Sequence, residues 1–590
     1  MVHEGIVVEL EIQPGPLREG HEVTFRFSIT DAATGTGVTG VRPAAWMDLR
    51  RTDETRDCAK KIAAFLSGGL TARPALDLNA YYVLALNHDA TITVVDPLFH
   101  FGGTKLLALV GLKSRGDDWA LTSDQSRLFV SLPEANQVAV VDTTSWKVIA
   151  NIDAGPRPTR LALQPDEQYL WVAYGSAGAS GVTALTASGL KVAARIPTGS
   201  GAHELAFSDD QLLTFVTNRD EGTVSVINVR SLRQVKEIKT GRRPVSIAFS
   251  RLSQAAYVTD EEDGTITVID RARLETVATA RAQPGLGPIR FAPGDRLGFV
   301  VNPKKNAVSI LDTANNQVIQ TADVGRRPDQ IIFSDRLAYV LSRESEFVSM
   351  IPLDQVGAAG RPVPVLEFPG GRAPLGETAW PSPAGAIVRA PAPNAIIVAN
   401  PADKTIYYYQ EGMAAPMGNF SNYQREPRAV LVVDRSLRER ARGVYETVAK
   451  LSRPGSYDVA FMLAAPRVVH CFEVSVAANP ETAGRSALGA VEVELLTTER
   501  VIRVGEGARL RFRLVDARAQ AARVGARDVH ALVFLAPGIW QHRQTARETA
   551  EGIYEIEFVP PQPGVYYVYL SSPSAGLSGN RSHLLTLEAR

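Results

Sequence analysis

Cysteine is nearly absent from this chain of 590 residues, which has only Cys58 and Cys471. Two cysteines exclude a disulfide-dense scaffold and any cysteine-cluster zinc site. Net charge is missing as well, because 63 Lys and Arg balance 63 Asp and Glu. A balanced chain has no general attraction to nucleic acid or to an acidic membrane surface. No apolar run approaches the roughly 20 residues that span a bilayer, so no transmembrane segment is expected. The opening residues, Met1-Val-His-Glu-Gly5, have no basic stretch followed by an apolar one, so no signal peptide is expected within this sequence. Local catalytic signatures are also missing: there is no Gly-x-Ser-x-Gly, no Gly-x4-Gly-Lys and no His-Glu-x-x-His.

What the chain does have is length and an internal repeat. At 590 residues it exceeds a single hydrophobic core and must divide into domains. Between about residues 80 and 410 one unit recurs: an apolar run, a polar turn, and a β-branched run ending in a polar residue. Leu213-Thr-Phe-Val-Thr-Asn218 with Thr223-Val-Ser-Val-Ile-Asn228, and Ala256-Tyr-Val-Thr-Asp260 with Thr265-Ile-Thr-Val-Ile-Asp270, are clear copies. Equivalent positions Asp96, Asp142, Thr186, Asn228, Asp270, Asp312 and Pro352 are separated by 46, 44, 42, 42, 42 and 40 residues. Four short strands with turns need about 40–45 residues, the period of a β-propeller blade. Asp220-Glu-Gly222 and Glu262-Asp-Gly264 suit the hairpins between strands. The count is eight blades, or seven if the outer units merge. The Gly/Pro-rich stretch from Gly357 to Pro393 reads as a long surface loop before the last unit.

The repeats resemble those of YVTN-repeat propellers, with Tyr257-Val-Thr-Asp260 and Phe215-Val-Thr-Asn218 as near matches. The turns Gly155-Pro-Arg-Pro158, Gly241-Arg-Arg-Pro244 and Gly325-Arg-Arg-Pro328 match those that lead into that family's blades. The same repeats are similar to the haem-bearing propeller of dissimilatory nitrite reductases. The resemblance implies a propeller over about 300 residues and leaves function open.

Flanking segments predict a second fold. Glu506-Gly-x4-Phe512, Gly552-Ile-Tyr554 and Pro563-Gly-Val-Tyr566 pattern a C-terminal β-sandwich. Glu19-Gly-x4-Phe25 repeats the first piece near the N-terminus, but Gly443-Val-Tyr445 and Pro454-Gly-Ser-Tyr457 follow only after the propeller. Phe25 and Tyr445 are 420 residues apart, against 42 for Phe512 and Tyr554. The economical reading is all-β: a propeller inserted into a loop of one β-sandwich, followed by a second copy. Expected boundaries are 1–50 plus 425–480 for the split sandwich, 51–79 for a connecting segment, 80–412 for the propeller and 485–590 for the second sandwich. Such sandwiches resemble immunoglobulin-like accessory modules of exported respiratory and metal-handling proteins. These strand-rich types favour a periplasmic or extracellular chain, its signal already removed, over a cytosolic one.

Candidate sites follow from this architecture. Aligning the turns into the blades collects Arg157, Arg160, Arg242, Arg243, Arg290, Arg326 and Arg327, with Asp117, Asp118, His203, Glu204, Asp329 and Gln330. A ring of guanidinium forks suits carboxylate, phosphate or haem propionate groups. Arginines that merely pair with rim acids are the structural alternative. His203, in Gly201-Ala-His-Glu204, stands just after the slot where other blades carry proline and would aim at the channel mouth as an axial haem ligand. No Cys-x-x-Cys-His attachment site occurs. Met47, Met413 and Met417, with His470, form a thioether and imidazole set that suits Cu(I) or, equally, packing at junctions. Cys58 precedes a short amphipathic helix, Ala59 to Leu66, ended by Gly68-Gly69, and would pair with Cys471 to pin the propeller to its host in an oxidising compartment. The first functional reading is a non-catalytic binding or scaffold protein that holds an anionic ligand or a protein partner within an exported assembly, respiratory or metal-handling. Its rival is a redox protein carrying haem or copper.

Overall fold

The computed structural model describes residues 2–590 except 4, 51–57, 67–73, 98–104, 177, 358–360, 374–382, 392–393, 452–453, 480–490, 498, 517–520, 536–539, 573, 576 and 578–584. The chain forms two compact units, Tyr81–Asp434 and Met1–Ala80 with Arg435–Arg590.

Among the described residues, the Tyr81–Asp434 unit contains eight antiparallel four-stranded sheets that follow one another along the chain. This is a β-propeller. Its strands form where β-branched and aromatic residues alternate, and they are joined by tight turns such as Gly222 and Gly264, both at φ +66°. At four successive steps a large ring packs against a ring of the next blade. Tyr257 meets Phe291 at a ring distance of 5.2 Å, and Phe299 meets Phe333 at the same 5.2 Å. In each pair the first ring is on a blade's second strand and the other on the next blade's innermost strand.

The ring is shut by a strand from the far end of the unit. Pro427–Asp434 pairs with Tyr81–Asn87, bringing Asp434 opposite Tyr81, and is the innermost strand of the sheet that opens the unit. The sequence reading placed this segment in the split sandwich, beginning at 425. Its partner lies more than 300 residues upstream, so local pattern could not assign it. The stretch from Gly357 to Pro393 is also no simple loop. Leu366–Pro369 is the outer strand of one sheet and Ile387–Arg389 opens the next.

In the other unit, two sheets pack face to face around Phe25, Phe27, Tyr445, Val459 and Phe461. Strand Glu22–Asp31 pairs with Val444–Lys450, so residues more than 400 positions apart share one sheet. Strand Pro43–Leu49 likewise pairs with Gly455–Leu463. The helix Cys58–Leu66 lays Ile62 and Phe65 on Trp46 and Ala460. Lys61 Nζ reaches Asp458 at 3.0 Å and Asp48 at 3.5 Å. A disulfide joins Cys58 to Cys471, with Cα atoms 5.9 Å apart. Both cysteines belong to the same unit, so the bond ties the helix to strand Val468–Val476 rather than pinning the propeller. Gly68 and Gly69, expected to end this helix, lie outside the described residues.

A second pair of sheets packs around Leu510, Phe512, Tyr554 and Tyr566 and repeats the first sandwich in detail. Tyr445 Oη donates to Val38 O and accepts from Val41 N, both at 3.2 Å. Tyr554 Oη donates to Arg523 O at 3.3 Å and accepts from Ala526 N at 3.0 Å. Glu439 accepts from Gly40 and Gly443, as Glu548 accepts from Gly525 and Gly552. Phe27, not Phe25, stands opposite Tyr445, just as Phe512 stands opposite Tyr554. The equivalent of Gly20 is therefore Gly505, both with φ near +80° (80° and 78°), which moves the expected alignment by two residues.

Candidate functional site

Each blade's innermost strand starts at one end of the channel. In four of them the pairing register skips a residue just after the leading proline, at Thr159, Val245, Asp329 and Arg428. A bulge re-aims the side chain it displaces and is common beside binding sites. The next residues are Arg160, Ser246, Gln330 and Ala429, and the equivalent position in two other blades holds Asp118 and Glu204. Three of these side chains accept from backbone N–H groups of the neighbouring blade. Asp118 Oδ2 accepts from Leu161 N at 2.9 Å, Ser246 Oγ from Ile289 N at 3.3 Å and Gln330 Oε1 from Ala386 N at 2.7 Å.

The channel holds a cavity of about 460 Å³ lined in part by Arg160, Glu204, Arg290, Asp329, Gln330 and Arg343. Apolar wall is supplied by Val245, Pro288, Ile332 and Pro383. Arg160 is clamped: its guanidinium meets Asp118 at 3.1 Å and Glu204 at 3.0 Å and donates to Pro383 O. Burial works against its charge, but Glu204 and Asp118 more than offset that and hold its pKa above the usual arginine value. Arg343 meets Asp329 at 2.5 Å, and Arg428 meets Asp117 at 3.2 Å.

Arg290 differs. Its guanidinium donates to the carbonyl of its own neighbour Ile289 at 2.8 Å, and no carboxylate among the described residues lies within ion-pair distance. Burial, reinforced by the nearby Arg160 charge, lowers its pKa despite the partial help of Glu204 and Asp118. Strand register explains how it fits. Arg290 stands opposite Phe299, the position that holds Ala120, Ala162, Ala206 and Ala248 opposite Phe129, Trp171, Phe215 and Tyr257 in other blades. Four blades carry a methyl group where this one carries a long cation.

Of the residues collected from the blade turns, Arg160, Glu204, Arg290, Asp329 and Gln330 line the cavity. The other arginines do not. Arg242 pairs with Asp263 at 2.6 Å and Arg243 with Glu261 at 3.2 Å. Arg326 and Arg327 share Glu344 at 3.2 and 2.8 Å, and Arg157 is exposed. These residues precede the proline of each turn, where the chain still faces the acids of the adjacent hairpin. Arg343 and Arg428 went unpredicted. For Arg428 a signal existed, because Glu426-Pro427-Arg428 copies the proline of the blade turns.

His203 is not among the residues that line the cavity. It is 3% exposed, with Nδ1 2.6 Å from Thr217 O and Nε2 3.4 Å from Thr198 Oγ1. Burial lowers its pKa, with the Thr217 carbonyl opposing. Both ring nitrogens are engaged, so it is not poised as an axial haem ligand. The residues proposed for copper divide between the two units, Met47 and His470 in one and Met413 and Met417 in the other. Met47 is sealed in the sandwich core, whereas Met413 and Met417, in the propeller unit, are 51% and 54% exposed. His470 packs its ring on Phe472 at 4.7 Å. Among the described residues, no group of three or more His, Cys, Asp or Glu is placed to hold a metal.

Residues 110–284 match the family model of the YNCE-like β-propeller. None of the curated proteins matches the chain. Among solved structures, Kuenenia stuttgartiensis hydrazine synthase is similar at 17% identity and a TM-score of 0.40, covering 50% of this chain and 96% of its own. A functionally unknown protein from Desulfotomaculum acetoxidans is similar at 16% and 0.42, covering 60% and 99%. Apo AztD from Citrobacter koseri is similar at 11% and 0.46, covering 60% and 98%. None of these likenesses bears on what this chain binds. No helix among the described residues is long and apolar enough to cross a membrane.

Proposed function

We propose that this chain is a binding protein whose propeller channel holds a small anionic ligand, and that it works in an exported assembly where its sandwiches dock a protein partner. Arg290 carries the first part. It is a cation held in a cavity, with no carboxylate of its own among the described residues, while Arg160 and Arg343 are already paired. An anion beside it would relieve the burial that now opposes its charge. The Cys58–Cys471 bond fits an oxidising compartment, and two copies of one sandwich fit docking.

Titration calorimetry of the full chain with a panel of carboxylates and inorganic phosphate tests the channel. At least one anion is expected to bind, with affinity falling tenfold or more in Arg290→Gln. Unchanged binding in that variant, or no binding by the parent chain, refutes the reading.

A further inference from the structure

We infer that the channel selects a ligand with a single negative charge and an apolar body, a monocarboxylate rather than a phosphate or dicarboxylate. This rests on the anion reading of the same cavity and deepens it. The lining charges set the count. Glu204 is taken by Arg160 at 3.0 Å and Asp329 by Arg343 at 2.5 Å, which leaves Arg290 as the one lining guanidinium without a carboxylate partner among the described residues. A second negative charge on the ligand would face Glu204 and Asp329 with no free cation to receive it.

The walls set the rest. Val245, Pro288, Ile332 and Pro383 line the same cavity, and about 460 Å³ is far more than a bare carboxylate fills. The uncharged polar residues of the lining, Ser246 and Gln330, already accept from Ile289 N at 3.3 Å and Ala386 N at 2.7 Å in the neighbouring blades. A ligand anchored at Arg290 would therefore lay hydrocarbon, not charge, along the remaining wall.

Calorimetry with acetate, butyrate, hexanoate, succinate and inorganic phosphate separates the cases. Affinity is expected to rise by about three- to fourfold per added methylene from acetate to hexanoate. Hexanoate is expected to bind at least tenfold more tightly than succinate or phosphate, to be lost in Arg290→Gln and to persist, weakened, in Arg290→Lys. Equal binding of acetate and hexanoate overturns the inference. Tighter binding of succinate or phosphate that is lost in Arg290→Gln also overturns it, while leaving the anion site standing. No binding by any of the five removes both. Matching far-ultraviolet circular dichroism of the variants and the parent excludes loss of fold as the cause.

Discussion

Removing the Asp118 side chain tests whether the Arg160 cluster holds the ring together. Asp118 is 4% exposed at its side chain and serves three donors: Leu161 N at 2.9 Å, Trp119 N at 2.9 Å and Arg160 Nη1 at 3.1 Å. Alanine there leaves two backbone N–H groups without acceptors, each costing about 1–3 kcal/mol when buried. It also leaves Arg160 with only Glu204, and breaking one side of a buried pair costs about 3–5 kcal/mol. These terms overlap, because relaxation and water entry serve the same groups, so about 3–5 kcal/mol in total is expected. The assay is urea denaturation followed by fluorescence, since Trp119, Trp146 and Trp171 all report on the propeller unit. Hydrogen exchange at the Leu161 amide, read by mass spectrometry, supplies a local measure. Asp118→Asn keeps an acceptor and should lose about half as much. The double variant with Arg160→Met should cost less than the sum of the singles, because the uncompensated guanidinium is gone. A loss below about 1 kcal/mol for Asp118→Ala, with unchanged exchange at Leu161, refutes the reasoning.

Two other perturbations have defined outcomes. The pKa of His203 is lowered in the folded chain, so below its ordinary value the unfolded chain binds the extra proton first; propeller stability should fall as pH drops from 7.5 to 5.5, and His203→Gln should flatten that slope in denaturant midpoints. Changing Cys58 and Cys471 to serine should weaken the sandwich unit by about 2–4 kcal/mol and leave the propeller transition in place, and mass spectrometry of the parent without reductant should find no alkylatable thiol.

Strand periodicity made the propeller legible, because each blade repeats within about 40 residues and every hairpin is local. The closing strand Pro427–Asp434 was not legible, since its partner Tyr81–Asn87 belongs to the opposite end of the repeat array. In the sandwiches the alignment slipped by two because side chains alternate with period two, and a two-residue shift keeps every apolar residue facing inward. Gly20 and Gly505 settle the true register through their backbone, not their pattern: Gly20 N donates to Leu451 O and Gly505 N to Pro560 O. For the site, the turns named the right neighbourhood but could not say which side of the proline looks inward. Arg290 was visible as an exception in a column of alanines, whereas Arg343 follows a second strand and has no such column. The partners of His203, Thr198 and Thr217, come from flanking segments that the turn alone does not reveal.

The pairing of Glu22–Asp31 with Val444–Lys450 has a consequence during synthesis. Arg26 and its ion-pair partner Glu446 are 420 residues apart, a gap a ribosome crosses in about 20–80 s at roughly 5–20 residues per second. For that interval one flank of the nascent sheet has an open row of amides and carbonyls, ready to stick to any extended segment nearby. The whole propeller must emerge before the rightful neighbour arrives, so faithful production of this chain depends on keeping that early edge shielded while it waits.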